Sequence, residues 1–483
     1  MSWHEYISEK EQEVRDLKHR NEELKHQNEI LLKALYDSKS EKYKPAPIVD
    51  NQLNMFCEIE LEQNKVEEQT TQVKGYTKTK KKHTGRQPLP EHLPLEEIII
   101  EPEEDTTGMK KIGEQVTEVL DYTPASFIRK RYIRPKYAKS EGGIIIADMP
   151  ERPLPKSIAE AGLLSYIIVN KFVDHLPFYR QIERFKREHK LPIPSSTIND
   201  WFVAVCTLLD PLYNKLKEKV LDTKYLQADE SPIKVMDKVK VGKTHQGYQW
   251  VYHNPLQKII LFDYRKGRGM HGPKELLSAY AGVLQCDGYS VYDKLAKKEA
   301  LTLAGCFAHV RRKYFEAKSS NPKLATKALN IFSEIYRLEK IAKQETENRL
   351  NYRNKHILPL VQKLREWIEQ ESIKVLPKSP IGKAMSYTIN QWDKLINIFK
   401  YDYVELDNNL IENKIRPLAL GRKNYLFAGS HKGAGRIAMM YSFFATCKAN
   451  EVNPYDWMKS TLEKMPTTSI LDLDNLLPNY YQV

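Results

Sequence analysis

The sequence predicts a multidomain α+β protein, and three patterns of residues support this prediction. A heptad repeat of apolar residues lies near the start, amphipathic helical segments fill the stretch from Pro155 to Leu209, and short apolar strands alternate with helices from Lys224 onward. At 483 residues the chain is long enough for about two to four structural units. Because the three patterns follow one another along the chain, separate units of different architecture are expected.

The composition excludes several classes of protein. The chain has 76 Lys and Arg against 63 Asp and Glu, and the formal net charge of +13 favours a polyanionic partner without proving one. The five cysteines form no CxxC pair, so neither a disulfide framework nor a thiolate zinc site is indicated. No stretch has the pattern of a secretion signal or a membrane span, so a cytoplasmic location without a membrane partner is expected.

Residues 1–36 are predicted to form a coiled-coil helix that joins two copies of the chain as a homodimer. Asn at an a position pairs with its mate across a parallel dimer and fixes the register. A solvated amphipathic helix packed on its own chain remains the alternative, because three heptads are few. The a positions are Val14, Asn21, Asn28 and Leu35, and the d positions are Leu17, Leu24 and Leu31.

Residues 37–110 are predicted to be a charged linker with a basic arm, because alternating blocks of charge resist collapse. Residues 71–90 hold six Lys or Arg and no acid, whereas residues 91–105 hold seven acids and no Lys or Arg. The basic block suits a flexible arm along DNA phosphates, and a linker that only solubilises the chain is the alternative. Its central lysines are Lys80, Lys81 and Lys82.

Residues 111–150 are predicted to form a small β unit, because apolar and polar positions alternate in "EQVTEVL", "SFIRKRYIRPKYAK" and "GGIIIADM". The middle strand interleaves six Lys or Arg with Phe127, Tyr132 and Tyr137. Such a strand suits a surface that follows a nucleic-acid backbone. A sheet edge protected by charge would give the same pattern.

Residues 151–220 are predicted to form a helical DNA-binding domain. Three short helices with tight connections are compatible with a helix-turn-helix, in which the third helix faces DNA. That helix begins at "SSTIND", which opens on a serine N-cap. A plain helical bundle is the alternative. The candidate DNA contacts here are Ser196, Thr197 and Asn199.

Residues 221–450 are predicted to form a mixed α/β catalytic domain with a helical insertion at about 322–400, followed by a C-terminal tail at 451–483. The first strand brings Asp229 to its end in "LQADESPIKV", and the fourth brings Asp287 to its end in "LQCDGY". Two adjacent carboxylates repel each other unless a cation lies between them. Oxygen ligands suit Mg²⁺ or Mn²⁺, and two such ions can support phosphoryl transfer.

Glu412 is the candidate third carboxylate, on a helix expected to be capped by Asp407 or Asn408. An ion pair with Arg416 one turn later would account for Glu412 without a catalytic role. His309, in "CFAHVRRKYF", is a candidate accessory residue, although a lone histidine is more often structural. The candidate DNA contacts near these acids are Arg311, Arg312, Lys313, Lys414, Arg416, Arg422 and Lys423. The basic stretches "GKTHQGYQW" and "RKGRGMHG" lack P-loop spacing, which disfavours nucleotide hydrolysis.

Several separate motifs together resemble one family. "ADESPIKV", "LQCDGYSVYD", "GCFAHVRRKYF", "PKSPIGKAM" and "DNNLIENKIRPLALGRKNYLFAGS" closely resemble, in order and spacing, the transposases of the insertion sequence sixty-six family. These are DDE enzymes with a ribonuclease H-like core. The similarity extends from about residue 10 to the C-terminus. It implies that Asp229, Asp287 and Glu412 are the catalytic and metal-binding triad.

The resemblance implies that the protein moves an insertion sequence. Metal-dependent hydrolysis would cut DNA at the ends of the element, and the freed 3′-hydroxyl would then attack target DNA. The partners implied are terminal-repeat and target DNA, with helper proteins encoded by the same element. A structure-selective nuclease and a catalytically inactive DNA-binding repressor derived from a mobile element are the alternatives.

The sequence departs from the family in one respect. Members commonly carry a cysteine cluster before the β unit that looks like a zinc site, whereas "EDTTGMKKIGEQV" and "YAKSEGGIII" contain no cysteine. We therefore expect no zinc and a β unit held together by packing alone.

Overall fold

The computed structural model describes most of the chain from residue 150 onward. The described stretches are 150–155, 157–236, 242–278, 280–297, 301–344 and 348–481, together with residues 14, 17, 20, 21, 127, 128 and 130–133 and four short strands. Residues 27–130 form one unit, and residues 1–26 with 131–483 form another. Within the described stretches, every helix is too short or too polar to cross a bilayer.

The four short strands form two antiparallel hairpins. One pairs β1 (Gln69–Val73) with β2 (Tyr76–Lys80), and the other pairs β3 (Lys136–Ala138) with β4 (Ile144–Ile146). The predicted basic and aromatic strand is therefore shorter than expected, because residues 127, 128 and 130–133 are not in a strand. Pro135, which has no amide hydrogen to donate, separates β3 from these residues. The predicted strand "EQVTEVL" lies outside the described residues.

The N-terminal heptad is described at four positions. Val14, Leu17, Arg20 and Asn21 are helical and exposed. Helical structure at these positions agrees with the predicted helix. The remaining heptad positions lie outside the described residues, so the dimer stays a prediction.

Four helices precede the large sheet. They are α1 (Ala161–Phe172), α2 (Phe178–His189), α3 (Ser195–Leu208) and α4 (Asp210–Leu221). Each buries one face, as when Leu212, Leu216 and Val220 of α4 recur every fourth residue and are fully covered. These side chains belong to the same hydrophobic core as the sheet. The helices of the predicted DNA-binding domain therefore share their core with the predicted catalytic domain.

A five-stranded mixed sheet forms the centre of the larger unit, as the sequence predicts. Its strands are β5 (Tyr225–Met236), β6 (Thr244–Asn254), β7 (Ile259–Arg265), β8 (Gly282–Gln285) and β9 (Leu301–Ala304), with α5 (His271–Leu277) and α6 (Ser290–Ala296) between the last three. The spatial order is β7-β6-β5-β8-β9. The first three strands are antiparallel neighbours, and β8 and β9 run parallel to β5.

After the sheet the chain forms a helical region with its own core, which includes the predicted insertion. The helices are α7 (Phe307–Glu316), α8 (Pro322–Gln344), α9 (Arg349–Tyr352), α10 (Leu358–Ser372), α11 (Pro380–Asn390) and α12 (Trp392–Asn397). A single π-helical turn, Arg353–Ile357, joins α9 to α10. Phe332, Ile335, Leu364 and Ile368 are buried in this second core, which Phe307 of α7 also enters. The insertion is therefore a packed layer against the sheet domain.

Three helices complete the fold: α13 (Asn409–Tyr425), α14 (His431–Ala449) and α15 (Pro454–Lys464). Helix α14 covers the edge strand β7. Ser442 Oγ accepts a hydrogen bond from the Phe262 amide at 2.8 Å, and Thr446 Oγ1 accepts one from the Ile260 amide at 3.1 Å. The predicted C-terminal tail is ordered, because Trp457 of α15 is buried and donates to the Leu476 carbonyl. On α14, the Ser442 and Thr446 hydroxyls lie four residues apart. They accept hydrogen bonds from backbone amides of the edge strand β7 that would otherwise be unpaired.

A buried histidine in the sheet should make stability depend on pH. His253 Nδ1 lies 3.0 Å from Gln227 Oε1, and burial together with the positive charge of Lys414 lowers the pKa of His253 to about 3. Because the folded pKa is depressed, the stability contributed by the neutral ring is complete above about pH 6.5 and is lost as the pH falls toward 3. By about pH 4.5 the loss should reach roughly 2–3 kcal/mol.

Urea denaturation of the wild type and of His253→Gln at a series of pH values tests this expectation. The amide can still bond to Gln227 but does not titrate, so the variant should lose less stability over this pH range. Identical pH profiles would show that His253 is not responsible.

Candidate functional site

The parallel pairing of β5 with β8 brings two acids to matching positions. The last paired residues are Gln227 and Gln285, and Asp229 and Asp287 each lie two residues further along their strands. Asp229 continues within β5, where it pairs with Val251 of β6, whereas β8 ends at Gln285. The prediction that Asp229 lies at the end of its strand was therefore wrong, because β5 continues to Met236 through its pairing with β6. The two aspartates nevertheless lie at matching positions, because residues at the same register on parallel neighbours lie side by side.

Two buried glutamine side chains join the elements that carry the acids. Gln227 Nε2 donates to Gln285 Oε1 at 2.9 Å, and Gln285 Nε2 donates to the carbonyl of Glu405 at 2.8 Å. Gln227 Nε2 also lies 3.3 Å from the carbonyl of Asp407, just before α13. Buried amides that satisfy one another hold their elements in fixed positions. The segment leading into α13 is therefore fastened to both acid-bearing strands.

The turn after β8 is shaped around Asp287. Asp287 Oδ1 accepts a hydrogen bond from the amide of Tyr289 at 2.9 Å. Gly288, which follows Asp287, has a φ outside the left-handed region. Glycine is needed at position 288 because there is no room for a side chain: a Cβ there would lie 2.9 Å from the Tyr387 hydroxyl of α11.

Glu412 lies in the first turn of α13 and faces α7. Its Oε1 is 3.6 Å from His309 Nε2, and its Oε2 is 3.7 Å from Arg312 Nη2. Asn408 is the N-cap residue but makes no side-chain cap, whereas Asp407 Oδ1 accepts a hydrogen bond from the Asn409 amide at 3.1 Å. Of the two predicted capping residues, Asp407 therefore makes the bond. His309 and Arg312 are brought together with Glu412 and lie next to its carboxylate.

The electrostatics of the site disfavour an ionised Asp229. Burial raises the pKa of Asp229 to about 8, and the charges of Glu230, Asp287 and Glu412 act in the same direction. The charges of Asp287 and Glu412 therefore both act on Asp229. A cation at this point would reverse the effect, because an opposite charge favours the ionised carboxylate.

Glu230, which follows Asp229 on β5, forms an ion pair next to the candidate site. Its side chain is 3% exposed and pairs with Arg268, whose Nε donates to Glu230 Oε1 at 2.7 Å. The Arg268 guanidinium lies 4.1 Å from the centre of the Tyr289 ring, and the Tyr289 hydroxyl donates to the Arg268 carbonyl at 2.8 Å. Sequence reasoning missed Arg268, although the basic glycine-rich stretch "RKGRGMHG" was a signal for it. The pair fastens the loop after β7 beside Asp287.

The donor chemistry of the site fits a hard divalent cation better than zinc. Carboxylate oxygens of the kind supplied by Asp229 and Asp287 are the ligands that Mg²⁺ and Mn²⁺ prefer. In the part of the chain that the structure describes, no group of three or more His, Cys, Asp or Glu side chains is close enough together to hold a metal ion. Glu412, whose carboxylate faces His309 and Arg312, would have to turn toward the aspartates to share an ion with them.

The predicted DNA contacts lie in several different surroundings. Arg422 donates to the carbonyl of Pro232 in β5, and Lys414 is partly buried, with a pKa that burial lowers. Arg416 and Lys423 are exposed on α13. On α7, Arg312 lies beside Glu412, Lys313 pairs with Glu316, and Arg311 is half-buried. At the start of α3, Ser196 and Asn199 are exposed and Thr197 is half-buried. In the predicted basic arm, Lys80 is the last residue of β2, and Lys81 and Lys82 lie outside the described residues.

Models of known protein families match most of the chain. A family model described as "Transposase IS66 family" matches residues 156–436, which include the sheet, the insertion and all three acids. The chain belongs to the IS66 transposase family. This is the insertion sequence sixty-six family that the motifs resemble, so the resemblance is confirmed. The IS66 C-terminal element matches residues 442–479, which correspond to the last eight residues of α14 and the C-terminal region that follows it.

Similar proteins cover most of this IS66 family member. Three proteins of Sinorhizobium fredii, each named as uncharacterized, have nearly the same sequence identity to this chain. Protein y4qI is 31% identical over 90% of this chain and 84% of its own length, and y4jD is 30% identical over 81% of each. Protein y4hP is 29% identical over 85% of this chain and 78% of its own.

Two further family models match the N-terminal part of the chain. The model "Transposase C of IS166 homeodomain" matches residues 23–98, and the "zinc-finger binding domain of transposase IS66" matches residues 104–138. The second match is in tension with the expected absence of zinc. Residues 104–138 nevertheless contain neither cysteine nor histidine, so they lack the ligands of a zinc finger.

Proposed function

We propose that this IS66 family member is an active DDE transposase with a ribonuclease H-like catalytic domain, in which Asp229, Asp287 and Glu412 are the catalytic residues. The observation that carries the proposal is the matched position of the two aspartates on neighbouring parallel strands, with Glu412 contributing to the same cluster of charge. A sheet with an antiparallel meander followed by two parallel strands is the architecture that this proposal requires.

In this proposal the chain binds and orients DNA around the acids. Two Mg²⁺ or Mn²⁺ ions, when bound, would stabilise the attacking and leaving oxygens of a DNA phosphate. Asp229 and Asp287 would bridge or flank the two ions, and Glu412 would complete the second site. Water would cleave the end of the element, and the freed 3′-hydroxyl would then attack the target phosphate, so no protein nucleophile is needed. Buried Gln227 and Gln285 would keep the acid-bearing elements in register.

The DNA and partner contacts belong to the same proposal. The start of α3, the basic residues of α7 and α13, and the lysines at 80–82 would contact the phosphates of element ends and target DNA. The support is their exposure or partial exposure where described, together with the net charge of +13. Helper proteins encoded by the same element would complete the assembly.

A cleavage and strand-transfer assay tests the proposal. The substrate is a duplex that carries the element ends found in the DNA flanking the gene, with a plasmid as target. Cleavage at the end followed by joining to the plasmid is expected. Cutting without joining would indicate a structure-selective nuclease, and binding without cutting would indicate an inactive DNA-binding protein.

The metal requirement is a separate prediction. Mg²⁺ or Mn²⁺ should support cleavage, whereas Ca²⁺ should bind without supporting turnover, because its larger coordination shell misplaces the reacting oxygens. Elemental analysis of the purified protein should find zinc near zero. Zinc at one ion per chain would show that ligands outside residues 104–138 complete the family's zinc site.

The N-terminal helix is proposed to dimerise the protein. A dimer would give each end of the element its own catalytic domain, and the leucines at the d positions would form the seam. Deletion of residues 1–36 should give a folded monomer that still binds divalent cations but fails to pair two DNA ends. Light scattering decides between the outcomes. A truncated protein that remains dimeric and transposes normally would contradict the proposal.

A further inference from the structure

Two consecutive apolar side chains are exposed in the connection between α13 and α14. Leu426 is 63% exposed and Phe427 is 41% exposed, and Leu420, on the last turns of α13, is 51% exposed. Single exposed apolar residues are ordinary, but an exposed apolar group bordered by charge marks an interaction site more often than chance. We call residues 426–428 the wedge loop.

The wedge loop is held in a conformation that leucine rarely adopts. Leu426 has φ 63° and ψ −47°, whereas residues other than glycine and asparagine seldom have a positive φ. The loop is fixed from both sides. The Ala428 amide donates to the Lys234 carbonyl at 2.8 Å, the Met236 amide donates to the Ala428 carbonyl at 2.8 Å, and the Leu426 amide donates to the Arg422 carbonyl at 3.0 Å. Strain held by such bonds accompanies functional sites.

The surroundings of the wedge loop favour a polyanion as its partner. The sequence from 413 to 450 contains no Asp or Glu and includes seven Lys or Arg. Lys423 is exposed on the turn just before the loop. Arg180 of α2 reaches the same end of α13, where its Nη1 lies 3.4 Å from Asn424 Oδ1. Apolar side chains flanked by cations match DNA, which offers stacked bases between rows of phosphates.

The wedge loop is tied to both elements that carry the proposed catalytic acids. It directly follows α13, whose first turn contains Glu412, and it pairs with β5, which contains Asp229. The five residue steps along β5 from Asp229 to Lys234 span roughly 17 Å. The fourteen residue steps from Glu412 along α13 to Leu426 span roughly 21 Å. The two estimates agree, and at about 3.4 Å per base pair they correspond to roughly five or six base pairs.

We propose that Leu426 and Phe427 insert between bases of duplex DNA about five or six base pairs from the bond that is cut. This inference rests on the proposed function, because it takes DNA as the substrate and the carboxylates as the cutting site. Apolar side chains that wedge between base steps unstack them and bend the duplex. The bend would separate the cleaved end from the DNA beyond it. The fixed backbone of the loop would set the position of the bend.

The test uses duplexes of the element end with a single 2-aminopurine, whose fluorescence rises when its base is unstacked, placed at successive positions. Wild-type protein should give a fluorescence maximum about five or six base pairs from the cleavage site. Phe427→Ala should abolish the maximum and weaken binding at least about fivefold. The salt dependence of binding should not change, because no charge is removed. Lys423→Ala should instead lower the slope of log affinity against log salt by about one.

Leu471→Ala is the matched control, because Leu471 is 89% exposed in the C-terminal segment and is not part of α13 or the wedge loop. It should leave fluorescence and affinity unchanged, and all three variants should melt at the wild-type temperature. If the wild type binds DNA but Phe427→Ala keeps the fluorescence maximum, the wedge is overturned while the proposed function stands. If the wild type does not bind duplex DNA, both fail. If Phe427→Ala changes only the mass measured by light scattering, the surface binds a second copy and the wedge is again overturned.

Discussion

Asp229→Asn should reduce DNA cleavage by at least about a thousandfold while leaving the protein folded. The amide keeps the shape of the side chain but loses the charge that would hold a divalent cation. Asp287→Asn and Glu412→Gln should have the same effect, because the proposal assigns all three carboxylates to one catalytic site. The measurement is the rate of end cleavage with Mg²⁺. The melting temperature of the metal-free Asp229→Asn protein should not fall, since burial already disfavours the ionised carboxylate.

Glu230→Gln is the matched control for these variants. Its side chain is buried and bonded to Arg268, and the amide oxygen of glutamine can still accept a hydrogen bond from the guanidinium. Cleavage should therefore remain measurable, with a smaller loss than for Asp229→Asn. Full cleavage by Asp229→Asn, Asp287→Asn or Glu412→Gln would remove that residue from the proposed triad. Complete loss with Glu230→Gln would add Glu230 to it.

Arg353→Met should destabilise the protein by about 3–5 kcal/mol and also abolish cleavage. Arg353 is fully buried; its Nε donates to Glu339 Oε2 at 2.9 Å, and its Nη1 donates to the carbonyls of Tyr401 at 3.1 Å and Val404 at 2.8 Å. The substitution would leave the Glu339 carboxylate and two buried carbonyls without this donor. Cleavage should suffer because the chain passes from Val404 directly into the segment that positions α13 and its glutamate.

Urea denaturation and the cleavage assay together measure this effect. Arg337→Met is the matched control, because Arg337 lies in α8 and pairs with Glu334 on an exposed face at 2.7 Å. A surface ion pair contributes about 0–1 kcal/mol, so the control should stay near the wild type. Equal stability of Arg353→Met and Arg337→Met would show that the buried pair does not hold the insertion. If Arg353→Met is destabilised but cleaves at the wild-type rate, the buried ion pair stabilises the insertion without affecting the catalytic site.

The sequence alone predicted the strands of the central sheet. Strands such as "KYLQAD" and "KIILFDYR" are short apolar runs bounded by polar residues and turns, and this local pattern determines strand formation. The end of the first strand was predicted wrongly, because β5 runs seven residues past Asp229, to Met236, through its pairing with β6. The helical character of the insertion followed in the same way from local periodicity. Membership of the IS66 family was predicted from motifs and confirmed by the match to residues 156–436.

The surroundings of the acids were decided by the tertiary structure. Glu230 follows Asp229 on the strand, and its partner Arg268 lies 38 residues further along the chain, in the loop after β7. Glu412 was weighed as a partner of Arg416 along its own helix, whereas its carboxylate faces His309 and Arg312 of α7. Neither contact has a sequence spacing that a helical or strand period would reveal.

What the sequence determined and what the tertiary structure decided differ in how far along the chain the interactions act. Backbone propensity and hydrophobic period act over a few residues, so the sequence by itself determined which segments are helices and strands, and that Asp229 and Asp287 lie in or just after strands. Ser442 and Thr446 satisfy strand β7 from 180 and 186 residues away, and Gln285 reaches the Glu405 carbonyl across 120 residues. Buried polar groups must find partners wherever the packed core provides them. Only the tertiary structure, which sets those partners, therefore decided how the acids are held.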